Sequence, residues 1–341
     1  MESKPNLVKA EVLITRKCQL KCKGCKIPDN KHTKELTIEE WKRAFRIVYE
    51  DLNADFQAIY GGDPTMLGRE GLKEVVKELS SYRSQGKSYT IISNCLALYN
   101  NGQLDEKYMR ELMDAGLDSW TASIDTLEND TTIGNRIKSH KGLEALLKFK
   151  ELGLRDCCGI ITVSKNNLNS MLKTIKYLNQ KGLWVGLDFI HYKKCRGQID
   201  LPSRYDVENL IFNPEDLISI QTVANEIIKL KKDGGLIFPT FEVLENWGKY
   251  GIDLNWQCQQ PIRSITLDSD GSLMQCDSFR GDRIKKYTIF DLPEKWQEFQ
   301  RDYFKDIKEQ NCQCFWSTHA MLFDEDRKTK RGIDYYQHKT K

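Results

Sequence analysis

The chain has 341 residues, of which 40% are hydrophobic and 30% charged, and its formal net charge is +3. This length predicts about two domains, and the hydrophobic fraction is sufficient for a packed core. The balanced charge argues against a nucleic-acid-binding surface, and no stretch approaches the roughly 18 apolar residues that span a membrane. Neither nucleic acid nor a membrane is therefore expected as a partner.

The cysteine content and the first residues predict the location of the protein. The opening residues, MESKPNLVKA, contain no apolar run of the kind that secretory signals carry. Eleven cysteines, an odd number, fit no complete set of disulfide pairs. We therefore expect a cytoplasmic protein whose cysteines serve metal or redox chemistry.

Six short runs rich in β-branched and aromatic residues alternate with helical patterns, and they predict strands over residues 8–15, 56–62, 89–94, 119–125, 158–164 and 184–192. The first helix should begin at Thr37, because Glu40 follows three residues later as in a capping box. Repeated β–α units predict a parallel sheet with right-handed crossovers. Since a closed barrel needs eight units, the expected fold class is α/β with a partial (β/α)6 barrel. Its active site should lie at the C-terminal ends of the strands.

Three cysteines, Cys18, Cys22 and Cys25, follow the first predicted strand with the spacing C-x3-C-x2-C. A structural zinc site uses four ligands, and a cubane iron–sulfur cluster has four irons to hold. Either a distant residue supplies the fourth ligand, or one metal atom is left open to bind something else. The position at the C-terminal end of a strand is where an α/β enzyme carries its active loop.

This cysteine pattern resembles that of the radical S-adenosylmethionine (SAM) superfamily, in which the free iron of a [4Fe–4S] cluster binds the amino and carboxylate groups of SAM. Further motifs carry the resemblance in the same chain order. The stretch GGDPT at residues 61–65 resembles the Gly-Gly-Glu-Pro motif, with Asp63 in place of the usual Glu. Gly24 replaces the aromatic residue that usually precedes the third cysteine and contacts adenine.

The resemblance implies a set of SAM contacts at the ends of successive strands. In the family, backbone carbonyls of the Gly-Gly-Glu-Pro motif bind the methionine amino group, the third strand contacts the ribose, and an arginine pairs with the carboxylate. Arg136 suits that last role because a guanidinium binds a carboxylate through two parallel hydrogen bonds. The expected cofactor-binding residues are Gly61, Gly62, Asp63, Pro64, Ser93, Asn94, Ser123, Asp125 and Arg136.

Beyond about residue 209 the alternation stops, and we predict a barrel domain over residues 1–250 and a smaller auxiliary domain with a charged tail over 251–341. The sequence ITLDSDGSLMQC predicts a β-hairpin around Asp270 and Gly271. Cys258 and Cys276 resemble the start of the auxiliary-cluster domain called SPASM, and the presence of only four cysteines resembles its shortened relative, Twitch. A second [4Fe–4S] cluster is therefore expected on Cys258, Cys276, Cys312 and Cys314, although the tight spacing of the last two leaves open whether both are ligands. Four thiolates would also suit zinc.

The resemblance implies that reductive cleavage of SAM gives a 5′-deoxyadenosyl radical, which takes a hydrogen atom from a peptide or small-molecule substrate. Oxidation or bond formation would follow if the second cluster accepts an electron, and epimerisation if a thiol returns a hydrogen atom. Cys195 follows the sixth strand and is the candidate for that catalytic thiol, against the alternative of a loop cysteine without a role. Flavodoxin or ferredoxin is the expected electron donor. Because Cys18 lies so near the first residue, a built-in domain for leader-peptide recognition is disfavoured, and a separate peptide-recognition protein is a candidate partner. A non-catalytic zinc-binding scaffold is the alternative function.

Overall fold

The computed structural model describes residues 5–22, 25, 27, 34–128, 136–189, 193–195, 198–200, 210–251, 263–274 and 286–310. Its strands are β1 Lys9–Thr15, β2 Phe56–Gly61, β3 Ser88–Ser93, β4 Tyr99–Asn100, β5 Gln103–Leu104, β6 Ser119–Ser123, β7 Asp156–Val163, β8 Trp184–Phe189, β9 Lys193–Cys195, β10 Gln198–Asp200, β11 Ile237–Phe238, β12 Ser264–Leu267 and β13 Leu273–Met274. Its α-helices are α1 Ile38–Arg46, α2 Gly68–Ser81, α3 Glu106–Asp114, α4 Arg136–Glu151, α5 Leu168–Gln180, α6 Leu217–Lys232, α7 Phe241–Tyr250 and α8 Leu292–Gln310. None of the described helices combines the length and apolar character needed to cross a bilayer.

The largest described sheet has the strand order β11-β8-β7-β6-β3-β2-β1-β12-β13. Its six central strands are the six predicted from the sequence, and they pair in parallel from β1 to β8 in chain order. The predicted capping box also forms, since Thr37 and Glu40 exchange hydrogen bonds at the start of α1. The α/β fold with a largely parallel sheet is thus confirmed, and its open strand order is that of a partial barrel.

The two faces of β1 have different environments because successive side chains of a strand point to opposite sides. Val12 and Ile14 belong to the main core, together with Trp41 of α1. Leu13 lies on the opposite face and packs with Met274 of β13 in a smaller cluster. Helices therefore pack on the face of β1 that carries Val12 and Ile14, and Leu13 lies on the opposite face with Met274.

The C-terminal hairpin extends the barrel sheet. Strand β12 pairs in parallel with β1, and β13 pairs antiparallel with β12 after a turn in which Gly271 has a φ of 79°. A positive φ is easily adopted by glycine, so the predicted turn at Asp270 and Gly271 forms as expected. This pairing places the residues that follow β12 beside the C-terminal end of β1. The division of the chain into domains 1–250 and 251–341 stays a prediction.

Candidate active site

The cysteine loop, which carries Cys18, Cys22 and Cys25, begins directly after β1 and is anchored at its base. The Thr15 hydroxyl and the Arg16 backbone amide both donate to the Glu35 carboxylate, the amide at 2.7 Å from Oε1. Cys18, Cys22 and Cys25 are all half-buried, and the Cys25 amide donates to the Cys22 carbonyl at 3.2 Å. The thiols therefore stand on a folded loop at the C-terminal edge of the sheet.

Gly61 and Gly62 let the end of β2 approach this loop closely. The Gly62 amide donates to the Thr15 carbonyl at 2.7 Å, and the Asp63 amide donates to the Lys17 carbonyl at 2.8 Å. A Cβ atom on Gly61 would lie 2.3 Å from the Thr15 oxygen, and one on Gly62 would lie 2.2 Å from the Lys17 oxygen. Side chains at these positions would displace the cysteine loop, so the glycines are required by the close backbone approach.

Asp63 is buried between the ends of β2 and β3, with 1% of its surface exposed. Its carboxylate accepts hydrogen bonds from the Ser93 hydroxyl, the Asn94 amide and the Thr65 amide, which lie 3.0, 2.7 and 2.9 Å away. Burial raises the pKa of this carboxyl above its ordinary value, while the hydrogen bonds oppose that rise. Asp63 therefore joins the two strand ends, and Pro64 opens the short 3-10 turn, Pro64–Leu67, that follows.

Cys95 lies two residues beyond the end of β3. It has a φ of 65°, in the left-handed region that glycine adopts most easily. Its side chain is fully buried, and the Trp120 Nε1–H group donates to the sulfur at 3.3 Å. Burial raises the pKa of the Cys95 thiol to about 12, so this cysteine is a protonated core thiol.

A buried ion pair lies at the end of β6. Asp125, which is 3% exposed, accepts from the Lys138 ammonium at 2.8 Å. Burial alone would lower the pKa of Lys138, but the Asp125 carboxylate and the nearby Cys22 and Cys25 sulfurs raise it above its ordinary value. The first turn of α4 thus brings a cation towards the cysteine loop.

Most of the remaining predicted site residues lie wholly or partly outside the described residues. Ser123 ends β6 and is half-buried. Arg136 is the first residue of α4, and Cys195 pairs with Gln198 at the end of β9, but their side chains lie outside the described part. The four cysteines of the predicted auxiliary cluster also lie outside the described residues, namely Cys258, Cys276, Cys312 and Cys314. Their roles stay predictions.

The chemistry of the donors at the cysteine loop fits an iron–sulfur cluster. Within the described ranges, no three side chains of His, Cys, Asp or Glu lie close enough together to hold one metal ion. Cysteines that hold a cubane each bind a different iron, so their sulfurs stand farther apart than the ligands of a single ion. Three thiols bind three irons of a cubane and leave the fourth iron open to a small ligand, whereas a structural zinc ion needs a fourth protein ligand, so the three cysteines suit a cluster better than zinc.

Comparison with known families identifies the superfamily of the chain. The sequence pattern of the radical SAM superfamily matches residues 12–190, which include the cysteine loop, the second half of β1 and the other five central strands. The chain belongs to the radical SAM superfamily. Radical SAM proteins carry a [4Fe–4S] cluster with SAM bound, so both cofactors belong to this chain, and the family indicates an enzyme rather than a zinc-binding scaffold.

The chain has relatives among curated proteins and solved structures. It is 22% identical over 310 residues to a GTP 3′,8-cyclase of Helicobacter pylori, covering 83% of this chain and 89% of that one. It is 32% identical to the enzyme of that name from Peptoclostridium acidaminophilum, over 151 residues and 42% of each chain.

Two solved structures show the same fold. SuiB of Streptococcus suis bound to S-adenosylmethionine matches 85% of this chain with a TM-score of 0.63 and 14% identity, and the match spans 65% of SuiB. The structure of anSMEcpe with bound AdoMet and the Cp18Cys peptide matches 88% of this chain and 84% of its own, with a TM-score of 0.60 and 17% identity. These neighbours support the radical SAM fold.

Two charged residues near the cysteine loop were missed by reasoning from the sequence. Lys138 stands only two residues after Arg136, but no local pattern shows that it is buried against Asp125. Arg16 stands two residues before Cys18 and pairs with Asp268, 252 residues away in sequence. A cation adjoining a cysteine motif was the available signal for Arg16, whereas its partner is determined by the tertiary fold.

Proposed function

We propose that this radical SAM protein cleaves SAM reductively and uses the resulting 5′-deoxyadenosyl radical to remove a hydrogen atom from a peptide or small-molecule substrate. The observation that carries the proposal is the loop of three thiols held against Gly61 and Gly62 at the C-terminal edge of the sheet. When bound, the cluster supplies the electron that cleaves SAM. The chain itself orients the loop through Glu35 and Asp63 and places the cation of Lys138 nearby.

The experiment is SAM cleavage by anaerobically reconstituted protein with dithionite, with 5′-deoxyadenosine measured by mass spectrometry. We expect the wild-type protein to form it and the triple variant Cys18→Ala/Cys22→Ala/Cys25→Ala to form none. Cys157→Ala is the matched control, because this buried thiol lies at the start of β7, away from the loop. Equal cleavage by the triple variant would overturn the proposal, and a colourless, zinc-containing wild-type protein would favour the scaffold function.

Two substrate classes have support. The GTP 3′,8-cyclase of Helicobacter pylori aligns with 83% of this chain, which favours a nucleotide such as GTP. A fold neighbour was solved with the precursor peptide SuiA, which favours a peptide. Incubating the enzyme with GTP and with candidate peptides should increase 5′-deoxyadenosine in only one case, and the outcome would be oxidation, bond formation or epimerisation. Flavodoxin or ferredoxin would supply the electrons in the cytoplasm, and a separate protein would recognise a leader peptide.

We also propose a second [4Fe–4S] cluster, on the four C-terminal cysteines. Support comes from the hairpin β12–β13, which the sequence predicts around Asp270 and Gly271 and which ends two residues before Cys276. The triple variant at the first site should then still contain about four irons per chain. An iron-free triple variant would contradict a stable second cluster, and zinc in place of iron would favour a structural site.

A further inference from the structure

The sulfur of Cys18 has hydrogen-bond donors supplied by the protein. The Leu20 amide lies 3.4 Å from this sulfur, and the Asn94 side-chain nitrogen, Nδ2, lies 3.6 Å from it. Asn94 is only 6% exposed and stands just beyond β3. The sequence resemblance implies that this residue contacts the ribose of SAM, whereas the structure aims its amide nitrogen at a cluster ligand.

The orientation of the Asn94 amide follows from its other partners. Its oxygen, Oδ1, accepts from the Leu96 amide at 2.9 Å and from the Gln19 side-chain nitrogen at 3.0 Å. Because the Leu96 amide can only donate, the oxygen of the Asn94 side chain must face it, and the nitrogen must face Cys18. The hydrogen bond to the sulfur is thus fixed by the bonds around it.

The backbone of Asn94 is held equally firmly. Its backbone N–H donates to the buried Asp63 carboxylate at 2.7 Å, and the same carboxylate accepts from the Ser93 hydroxyl. A buried side chain with hydrogen-bond partners at both its oxygen and its nitrogen can keep one orientation while the cluster changes charge. Hydrogen bonds to cluster sulfurs are among the features that set the reduction potential, because they stabilise the additional negative charge of the reduced form.

We propose that Asn94 is a positioning residue that donates a hydrogen bond to the Cys18 sulfur and raises the reduction potential of the SAM-binding cluster. This inference rests on the proposed cluster at Cys18, Cys22 and Cys25. In the redox couple that Asn94 affects, the cluster takes one electron from the reductant and no bond breaks. The inference assigns Asn94 to the electron-accepting step rather than to the binding of the ribose.

The test is a redox titration of the reconstituted enzyme, followed by electron paramagnetic resonance, after the iron content of each variant has been measured. Asn94→Leu removes the donor and should make the midpoint potential more negative. Asn94→Asp keeps the size but turns a negative group towards the sulfur, so its shift should be larger in the same direction. Asn94→His, which can retain an N–H donor, should return the potential towards that of the wild-type protein.

Gln19→Leu is the matched control, because it removes one bond to the Asn94 oxygen but leaves the Leu96 amide and the donor to Cys18 in place. Its potential should equal that of the wild-type protein. An unchanged potential in Asn94→Leu with weakened SAM binding would overturn the inference and restore the ribose contact. Loss of the cluster from both Asn94→Leu and Asn94→Asp would overturn it too, because holding the cluster is assigned to the cysteines. A wild-type protein without a cluster signal would instead contradict the proposed function.

Discussion

The buried ion pair between Arg16 and Asp268 joins the base of the cysteine loop to the C-terminal hairpin. Both side chains are only 6% exposed, and Arg16 Nε donates to Asp268 Oδ1 at 3.0 Å while Nη2 donates to Oδ2. Asp268→Ala would leave the guanidinium buried without its charge partner. Removing one partner of a buried pair costs about 3–5 kcal/mol of unfolding free energy, because the remaining charge is neither hydrated nor paired.

Equilibrium denaturation in urea, followed by tryptophan fluorescence under anaerobic conditions, measures this cost. The double variant Arg16→Met/Asp268→Leu should be far less destabilised than Asp268→Ala, because apolar groups of similar size remove both charges together. The control is Lys173→Met, which breaks a pair with Glu128 whose side chains are 77% and 43% exposed. Exposed pairs contribute about 0–1 kcal/mol. The reasoning fails if Asp268→Ala is no more destabilising than this control, or if the double variant is the least stable of the three.

Gly62→Ala should weaken SAM binding at least about tenfold, because its Cβ would lie 2.2 Å from the Lys17 oxygen and displace the cysteine loop. The control Gly71→Ala, in α2, should leave the SAM affinity measured by calorimetry unchanged. Arg136→Ala should lower SAM affinity about ten- to more than a hundred-fold if this guanidinium pairs with the carboxylate. Lys138→Met should lower SAM affinity by at least about tenfold if the buried ammonium also pairs with the SAM carboxylate, and Lys138→Arg should partly restore it. A thiol donor at Cys195 predicts one solvent deuterium in the product made in deuterated water and no product from Cys195→Ala, with SAM cleavage intact. Normal product formation by that variant would exclude Cys195 as the donor.

The sequence by itself determined the elements that depend on local patterns. Alternating strand and helix periods predicted the positions of the six strands and their parallel direction, and the capping box at Thr37 and the turn at Gly271 formed as predicted. The spacing of Cys18, Cys22 and Cys25 after a strand identified the superfamily. These features could be predicted because each is fixed by residues within a few positions of one another.

Only the tertiary structure decided which polar groups meet at the site. Asp63 looked like a variant of a SAM-binding motif, yet its carboxylate accepts a hydrogen bond from Ser93 of β3, which stands 30 residues later in the chain. Asn94 faces Cys18 across 76 positions, and Arg16 reaches Asp268 across 252. Strand β12 joins the sheet beside β1, although periodicity could not assign its partner. Parallel pairing brings the C-terminal ends of distant strands to one edge, so the contacts of their side chains follow from strand order and register, which local sequence patterns do not encode.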